Sequence, residues 1–240
     1  MLDESTSSGQ DSQPLSFKVA IVGDGSVGKS SICNRFCQDF FAEQYKQTLG
    51  VDFFSRTIQL PTDQEISFNL FDIGGQSVGS KMLKTYASGA KLIIYVFDLT
   101  NMESLLNMSE WHQKVAQYAP EAHCILVGNK SDLTTLRTVG ASDIQEYLKK
   151  LNIKQHYLLS ARTGDRVQMM FVSAAGALIG QDLTKMMLDQ RKVVSAVIPE
   201  EKQATANEIN RLGGLGIKEE DIEQDGQKAK KKKKGICSGQ

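Results

Sequence analysis

One octapeptide constrains this chain more than any other stretch: Gly23-Asp24-Gly25-Ser26-Val27-Gly28-Lys29-Ser30, set between the apolar run Phe17 to Val22 and a segment of helical pattern. Its spacing is G-x-x-x-x-G-K-[ST]. Such a loop points several backbone N–H groups inward at the start of a helix whose dipole favours an anion, which makes it a cradle for phosphates. Gly23, Gly25 and Gly28 are expected to take positive φ and to let the backbone come close, where a Cβ would obstruct it. The spacing lets Lys29 reach β- and γ-phosphates as a point charge and lets the Ser30 hydroxyl hold Mg²⁺. The motif specifies a nucleoside triphosphate and leaves the base open.

At 240 residues the chain is long enough for one domain of about 170 residues with tails. A formal net charge of zero hides an asymmetry, because Glu219, Glu220, Asp221, Glu223 and Asp225 precede Lys228 and the unbroken run Lys230 to Lys234. No nucleic-acid-binding signature accompanies that run, so nucleic acid is not an expected partner. The apolar stretch Leu92 to Phe97 is too short to span a bilayer, and the N-terminus lacks the basic and apolar regions of a signal peptide. A cytoplasmic location is therefore expected. Cys33, Cys37, Cys124 and Cys237 show no C-x-x-C spacing and His112, His123 and His156 do not cluster with them, which argues against disulfides and structural zinc. Cys33 and Cys37 lie one helical turn apart and are expected on a core face.

Residues 1 to 14 are rich in Ser, Gln and Asp without apolar periodicity and are expected to be a disordered extension. Six strands follow: Phe17 to Val22, Val51 to Leu60, Glu65 to Asp72, Leu92 to Asp98, His123 to Gly128 and Gln155 to Leu159. The second and third read as a hairpin around Pro61-Thr62-Asp63-Gln64, since Ile66, Phe68 and Leu70 alternate with polar residues. Helical patterns begin near Gly28 and run over Met102 to Tyr118, Ser142 to Leu151 and Asp165 to Leu178. Strands alternating with amphipathic helices predict an α/β fold, a mostly parallel six-stranded sheet flanked by helices, with ligand at the carboxyl ends of the strands. Trp111, Met169 and Met170 sit at helical spacing and are expected as core contacts.

Asp72-Ile73-Gly74-Gly75-Gln76 ends the third strand, where enzymes with such a phosphate loop place an acidic group near Mg²⁺. Gln76 adds an amide able to orient a water. Asn129-Lys130-Ser131-Asp132 ends another apolar strand, and Ser160-Ala161-Arg162 ends the last. A carboxylate at Asp132 can accept from both N1–H and the exocyclic amine of guanine, a donor pair that adenine lacks, and sites of this kind discriminate by roughly 10⁴-fold or more. Asn129 is expected to tie the loops together, and the Lys130 stem to lie along the base plane.

With these motifs in place, the sequence resembles the Ras-like small GTPases over about residues 16 to 182, and more narrowly the Rab family. Thr48-Leu49-Gly50-Val51-Asp52-Phe53 and Val96-Phe97-Asp98-Leu99-Thr100 carry the Rab likeness. Tyr45-Lys46-Gln47-Thr48, Asp52-Phe53-Phe54, Asp72-Ile73-Gly74-Gly75-Gln76 and Gly79-Ser80-Lys81-Met82-Leu83 are similar to the divergent branch numbered twenty-eight. The resemblance implies a GTPase domain over 15–182 and a tail over 183–240. It implies GTP or GDP with Mg²⁺ held by Ser30, Thr48 and Asp72, and nucleotide contacts from the phosphate loop through Ser31, from Phe41 stacking on the base, and from Thr48, Gly75, Asn129, Lys130, Asp132, Ser160, Ala161 and Arg162. Gln76 and Lys29 are the implied catalytic residues, while Phe53, Phe71 and Tyr86 match an aromatic trio presented to effectors. The implied partners are an exchange factor, an activating protein and effector proteins that bind a monomer.

This chain departs from the usual W-D-T-A-G-Q-E with Phe71-Asp72-Ile73-Gly74-Gly75-Gln76-Ser77, so the trio lacks an indole and the segment gains a glycine expected to be flexible. Arg162 stands where Lys is frequent. The chain finishes Cys237-Ser238-Gly239-Gln240 instead of with two cysteines, a single-cysteine C-a-a-X position. From about Leu183 a mobile tether is expected, with the lysine run assisting one lipid chain on Cys237, a prenyl-binding chaperone, and peripheral association with the cytosolic face of an endomembrane. A solvated basic tail, or a nuclear localisation run, is the other reading. Two functional classes remain beside one another, a cycling switch that regulates trafficking and a non-cycling guanine-nucleotide-binding scaffold; Asp132 speaks against a third, an ATPase or small-molecule kinase.

Overall fold

Strand β1 (Leu15–Val22) runs through the middle of the sheet, and its last four residues are fully buried. Because strand side chains alternate between faces, Val19 and Ile21 enter one core and Ala20 and Val22 the other. The structure is a computed structural model that describes residues 14–77 and 81–183. Residues 1–13, Gly79 and Ser80, the lysine run and Cys237 lie outside the described residues.

The sheet has six strands in the order β2-β3-β1-β4-β5-β6. Strand β2 (Val51–Gln59) is antiparallel to β3 (Glu65–Ile73), as the hairpin expectation required. All other pairs are parallel: β3 and β4 (Leu92–Asp98) with β1, β5 (His123–Asn129) with β4, and β6 (Gln155–Leu158) with β5. The hairpin closes through Leu60 N–H to the Gln64 carbonyl at 2.8 Å, with Asp63 at φ 59. Strand β4 is buried at every residue, as a strand covered on both faces must be.

One face is covered by α1 (Lys29–Gln38) and α6 (Val167–Leu178), where Phe36 stacks on Phe171 at 3.7 Å between centroids and meets Phe68 edge-on. The other carries α2 (Lys81–Ala87), α3 (Met102–Leu106), α4 (Met108–Ala116) and α5 (Ala141–Lys150). Cys33 is buried and Cys37 packs half-buried against the first core, as their spacing predicts.

Two expectations need correction, and two elements come in addition to those expected. The pattern Met102 to Tyr118 is two helices broken at Asn107, not one. Helix α2 gives little sequence signal because its seven residues bury only Leu83 and Ala87; a short 3₁₀ turn at Thr134–Leu136, with no buried residue, gives none. Met169 is only half-buried, whereas Met170 and Trp111 are core residues. Since β3 and β4 lie on opposite sides of β1, the loops after β1 and β3 open at a point where the strand order reverses, which is where open α/β sheets hold ligands.

Candidate nucleotide-binding site

Loops at the carboxyl ends of β1, β3, β5 and β6 and the irregular segment 40–50 enclose a cavity of about 860 Å³. Its floor is the phosphate loop. Gly23 has φ 141 and Gly28 φ 95, and a Cβ at either would run into a neighbour, the Val96 carbonyl oxygen or the Asn129 amide respectively. Gly25 differs from expectation: the left-handed position falls on Ser26, at φ 62. What Gly25 provides is open space toward Gln76, whose Nε2 would lie 3.8 Å from a Cβ placed there.

Lys29 is buried, and its Nζ donates to the carbonyl oxygens of Gly23 at 2.8 Å and Asp24 at 2.7 Å. Burial pushes its pKa down, while Asp72 and Asp24 pull it back up. An ammonium removed from water gains strongly from any anion brought to it. Beside it, Ser30 Oγ donates to Asp72 Oδ2 at 2.5 Å and lies 2.9 Å from Thr48 Oγ1, which in turn lies 3.4 Å from Asp72 Oδ2. Asp72 is fully buried, and burial raises its pKa against the lowering effect of the Ser30 hydrogen bond and Lys29. Its other oxygen, Oδ1, has no hydrogen-bond partner among the described residues. Two hydroxyls and a desolvated carboxylate with an orphaned acceptor fit a hard divalent cation of the magnesium type, which takes oxygen ligands.

Gly75 rests directly on this floor, since a Cβ there would strike the Asp24–Gly25 peptide. Gly74, expected to be flexible, is packed in place. It is buried, its N–H donates to the Gly50 carbonyl at 2.8 Å, and a Cβ would come within 2.6 Å of the Thr48 carbonyl oxygen. The extra glycine therefore permits close approach between two loops. Gln76 is exposed at the cavity edge.

The other end is built from Asn129, whose Nδ2 donates to the Val27 carbonyl at 2.9 Å and whose Oδ1 accepts from Ala161 N–H at 3.1 Å. One buried side chain thus ties the phosphate loop to the 160–162 turn. Ser160 Oγ donates to Asp132 Oδ1 at 2.6 Å, fixing the carboxylate rotamer. Phe41, Ser31, Lys130, Asp132, Ala161 and Arg162 line the cavity, while Gly23, Val27, Asp72 and Ser160 stand behind its wall. The rings of Phe53, Phe71 and Tyr86 meet each other at 5.0 to 6.1 Å, with Phe53 exposed.

Sequence reasoning missed the supports. Asp98 Oδ2 pairs with Lys130 Nζ at 2.6 Å, while its Oδ1 accepts from Thr100 N–H and Oγ. Arg35 of α1 donates to the carbonyls of Ala161 and Arg162. Asp98 carried a usable signal, a carboxylate closing an apolar strand like Asp72; Arg35 carried none.

The description "Ras family" belongs to the sequence model that matches residues 18–179. Over 200 residues the chain is 35% identical to the Ras-related protein Rab-28 of Caenorhabditis elegans, covering 81% of this chain and 80% of that protein. Matches of this extent leave no room for a chance phosphate loop: the chain belongs to the Ras family of small GTPases and resembles Rab-28 within it.

Proposed function

We propose that this protein is a cycling guanine-nucleotide switch. It binds GTP and GDP with Mg²⁺, hydrolyses GTP slowly by itself, and regulates vesicle or protein trafficking by offering different surfaces to effectors in its two states. The observation that carries this reading is the meeting of Thr48 with Ser30 and Asp72 while Gly75 lies on the Asp24–Gly25 peptide. Two loop segments are thereby tied to the end of the cavity that would receive a terminal phosphate, and both would lose an anchor when it leaves.

The chain's own groups divide the chemistry among them. Lys29 would exchange its two carbonyl partners for phosphate oxygens, a charge-assisted contact and a stronger one. Ser30, Thr48 and Asp72 would hold magnesium directly or through water, and the ion would supply positive charge to offset the charge of the triphosphate. Gln76, facing the space left by Gly25, would orient the attacking water. Asp132, pinned by Ser160, would accept from the guanine N1–H and exocyclic amine. No arginine among the residues lining the cavity is placed by a motif for the transferring phosphoryl group, so unassisted turnover should fall near 10⁻⁴ to 10⁻² per second, roughly, with an activating protein supplying the missing cation.

The effector surface is the trio of Phe53, Phe71 and Tyr86. We assign the remaining partners, an exchange factor and an activating protein, to the switch segments around the cavity. Peripheral attachment to the cytosolic face of an endomembrane would use the Lys230 to Lys234 run and a lipid on Cys237, with a prenyl-binding chaperone as carrier in the cytosol.

The hydrolysis step is tested by single-turnover assay of Gln76→Leu. The variant should turn over more than about tenfold more slowly, a barrier increase above about 1.4 kcal/mol. Equal rates in variant and parent would remove Gln76 from the mechanism.

A further inference from the structure

Asp24 is the first variable residue of the phosphate loop, yet its carboxylate points away from the cavity. Oδ1 accepts from Trp111 Nε1 at 2.8 Å and Oδ2 accepts from Asn107 Nδ2, also at 2.8 Å. Both donors come from one helical face, four residues apart, at the start of α4 and on its second turn. The break between α3 and α4 falls at Asn107 itself. Trp111 is buried at 1% exposure, so its only polar atom is spent on the loop. Meanwhile the Asp24 main-chain carbonyl accepts from Lys29, and the Asp24–Gly25 peptide is the surface on which Gly75 rests. Asp24 is thus held by its side chain from α4 and used by its main chain for the phosphate-reading lysine and the second switch segment.

We propose that Asn107 and Trp111 form a clamp on Asp24 that positions the phosphate loop against Lys29 and Gly75, and so sets how long a bound nucleotide stays. They are positioning residues that act through Asp24. Hydrogen bonds to an ionised acceptor are the stronger kind, and two of them fix both oxygens of one carboxylate. Releasing either lets the 24–25 peptide relax away from the geometry that Lys29 and Gly75 share. The inference rests on the guanine-nucleotide reading above.

The test uses the full chain loaded with radiolabelled GDP and Mg²⁺. Trp111→Phe keeps an aromatic ring in the core and deletes the N–H; Asn107→Ala deletes the other donor without touching the indole. Each should speed GDP release about tenfold, and Asp24→Ala at least as much. Adding Trp111→Phe to Asp24→Ala should bring no further acceleration, because the indole acts only through that carboxylate. Trp111 is the single tryptophan of the chain, so its emission should also change when EDTA strips the nucleotide, and Asp24→Ala should abolish that change. If the parent retains no GDP, the nucleotide reading itself fails. If the parent binds GDP while Trp111→Phe and Asn107→Ala release it at the parental rate, the clamp is refuted. Equal acceleration by Trp111→Phe in the presence and absence of Asp24 would likewise overturn it, since the ring would then act through packing alone.

Discussion

Replacing Asn129 with Ala removes a side chain that joins the two ends of the cavity. Its amide donates to the Val27 carbonyl and accepts from the Ala161 N–H, both in buried surroundings, and the residue is 2% exposed. The substitution leaves two buried backbone groups without partners. Each such orphan costs about 1–3 kcal/mol, so the loss should be about 2–6 kcal/mol, a large part of the 5–15 kcal/mol typical of a domain. Arg35 still holds the Ala161 and Arg162 carbonyls, which places the expected value toward the lower end, because the turn is not set wholly free. Urea unfolding in saturating GDP and Mg²⁺ measures the stability change, and the GDP release rate measures the loss of registry between the phosphate loop and the 160–162 turn. A destabilisation below about 1 kcal/mol, with release unchanged, would show that the two hydrogen bonds do not carry the connection.

Three further outcomes follow from the same geometry. Gly74→Ala should force the Thr48 carbonyl away from its 2.6 Å approach at an overpacking cost of about 1–3 kcal/mol, seen as a lower Tm and a faster loss of Mg²⁺-dependent GTP binding; an unchanged Tm contradicts the close-approach role. Burial holds His112 below its ordinary pKa of 6.5, so the unfolded chain binds its proton more readily; its stabilising contribution is present above that value and lost as pH falls through the depressed one. His112→Gln should accordingly flatten the acid side of the stability profile, and an identical profile in variant and parent would count against it. Asp132→Asn should lose GTP affinity and gain affinity for xanthine nucleotides, whose C2 carbonyl suits an amide donor, and undiminished GTP binding would remove the guanine assignment.

What could be read from the sequence was local. The phosphate loop, the Asp72 segment and the Asn129 to Asp132 turn are contiguous runs, each closing an apolar strand, so order along the chain already predicted that they would share one end of the sheet. The clamp on Asp24 was not legible, because its donor Trp111 lies 87 residues away and its apolar spacing made it look like a core residue, which it also is. The helix break at Asn107 was hidden for a related reason: Leu105, Met108, Trp111 and Val115 keep helical periodicity across it, while the Asn107 side chain at the break donates to a carboxylate distant in sequence. Gly74 was misjudged because glycine in a loop suggests freedom when only one sequence is in view. The structure instead surrounds it with the backbone of residues 48 to 50.

The proposed switch requires that the cavity select a guanine nucleotide and turn its triphosphate over. Protein purified under mild conditions with Mg²⁺ should release, on denaturation, a stoichiometric amount of GDP or GTP and no adenine nucleotide, and after loading with GTP it should convert that nucleotide to GDP slowly and only while Mg²⁺ is present. An adenine nucleotide, an empty site that GTP fails to fill, or bound GTP that persists unhydrolysed in Mg²⁺ would contradict the account.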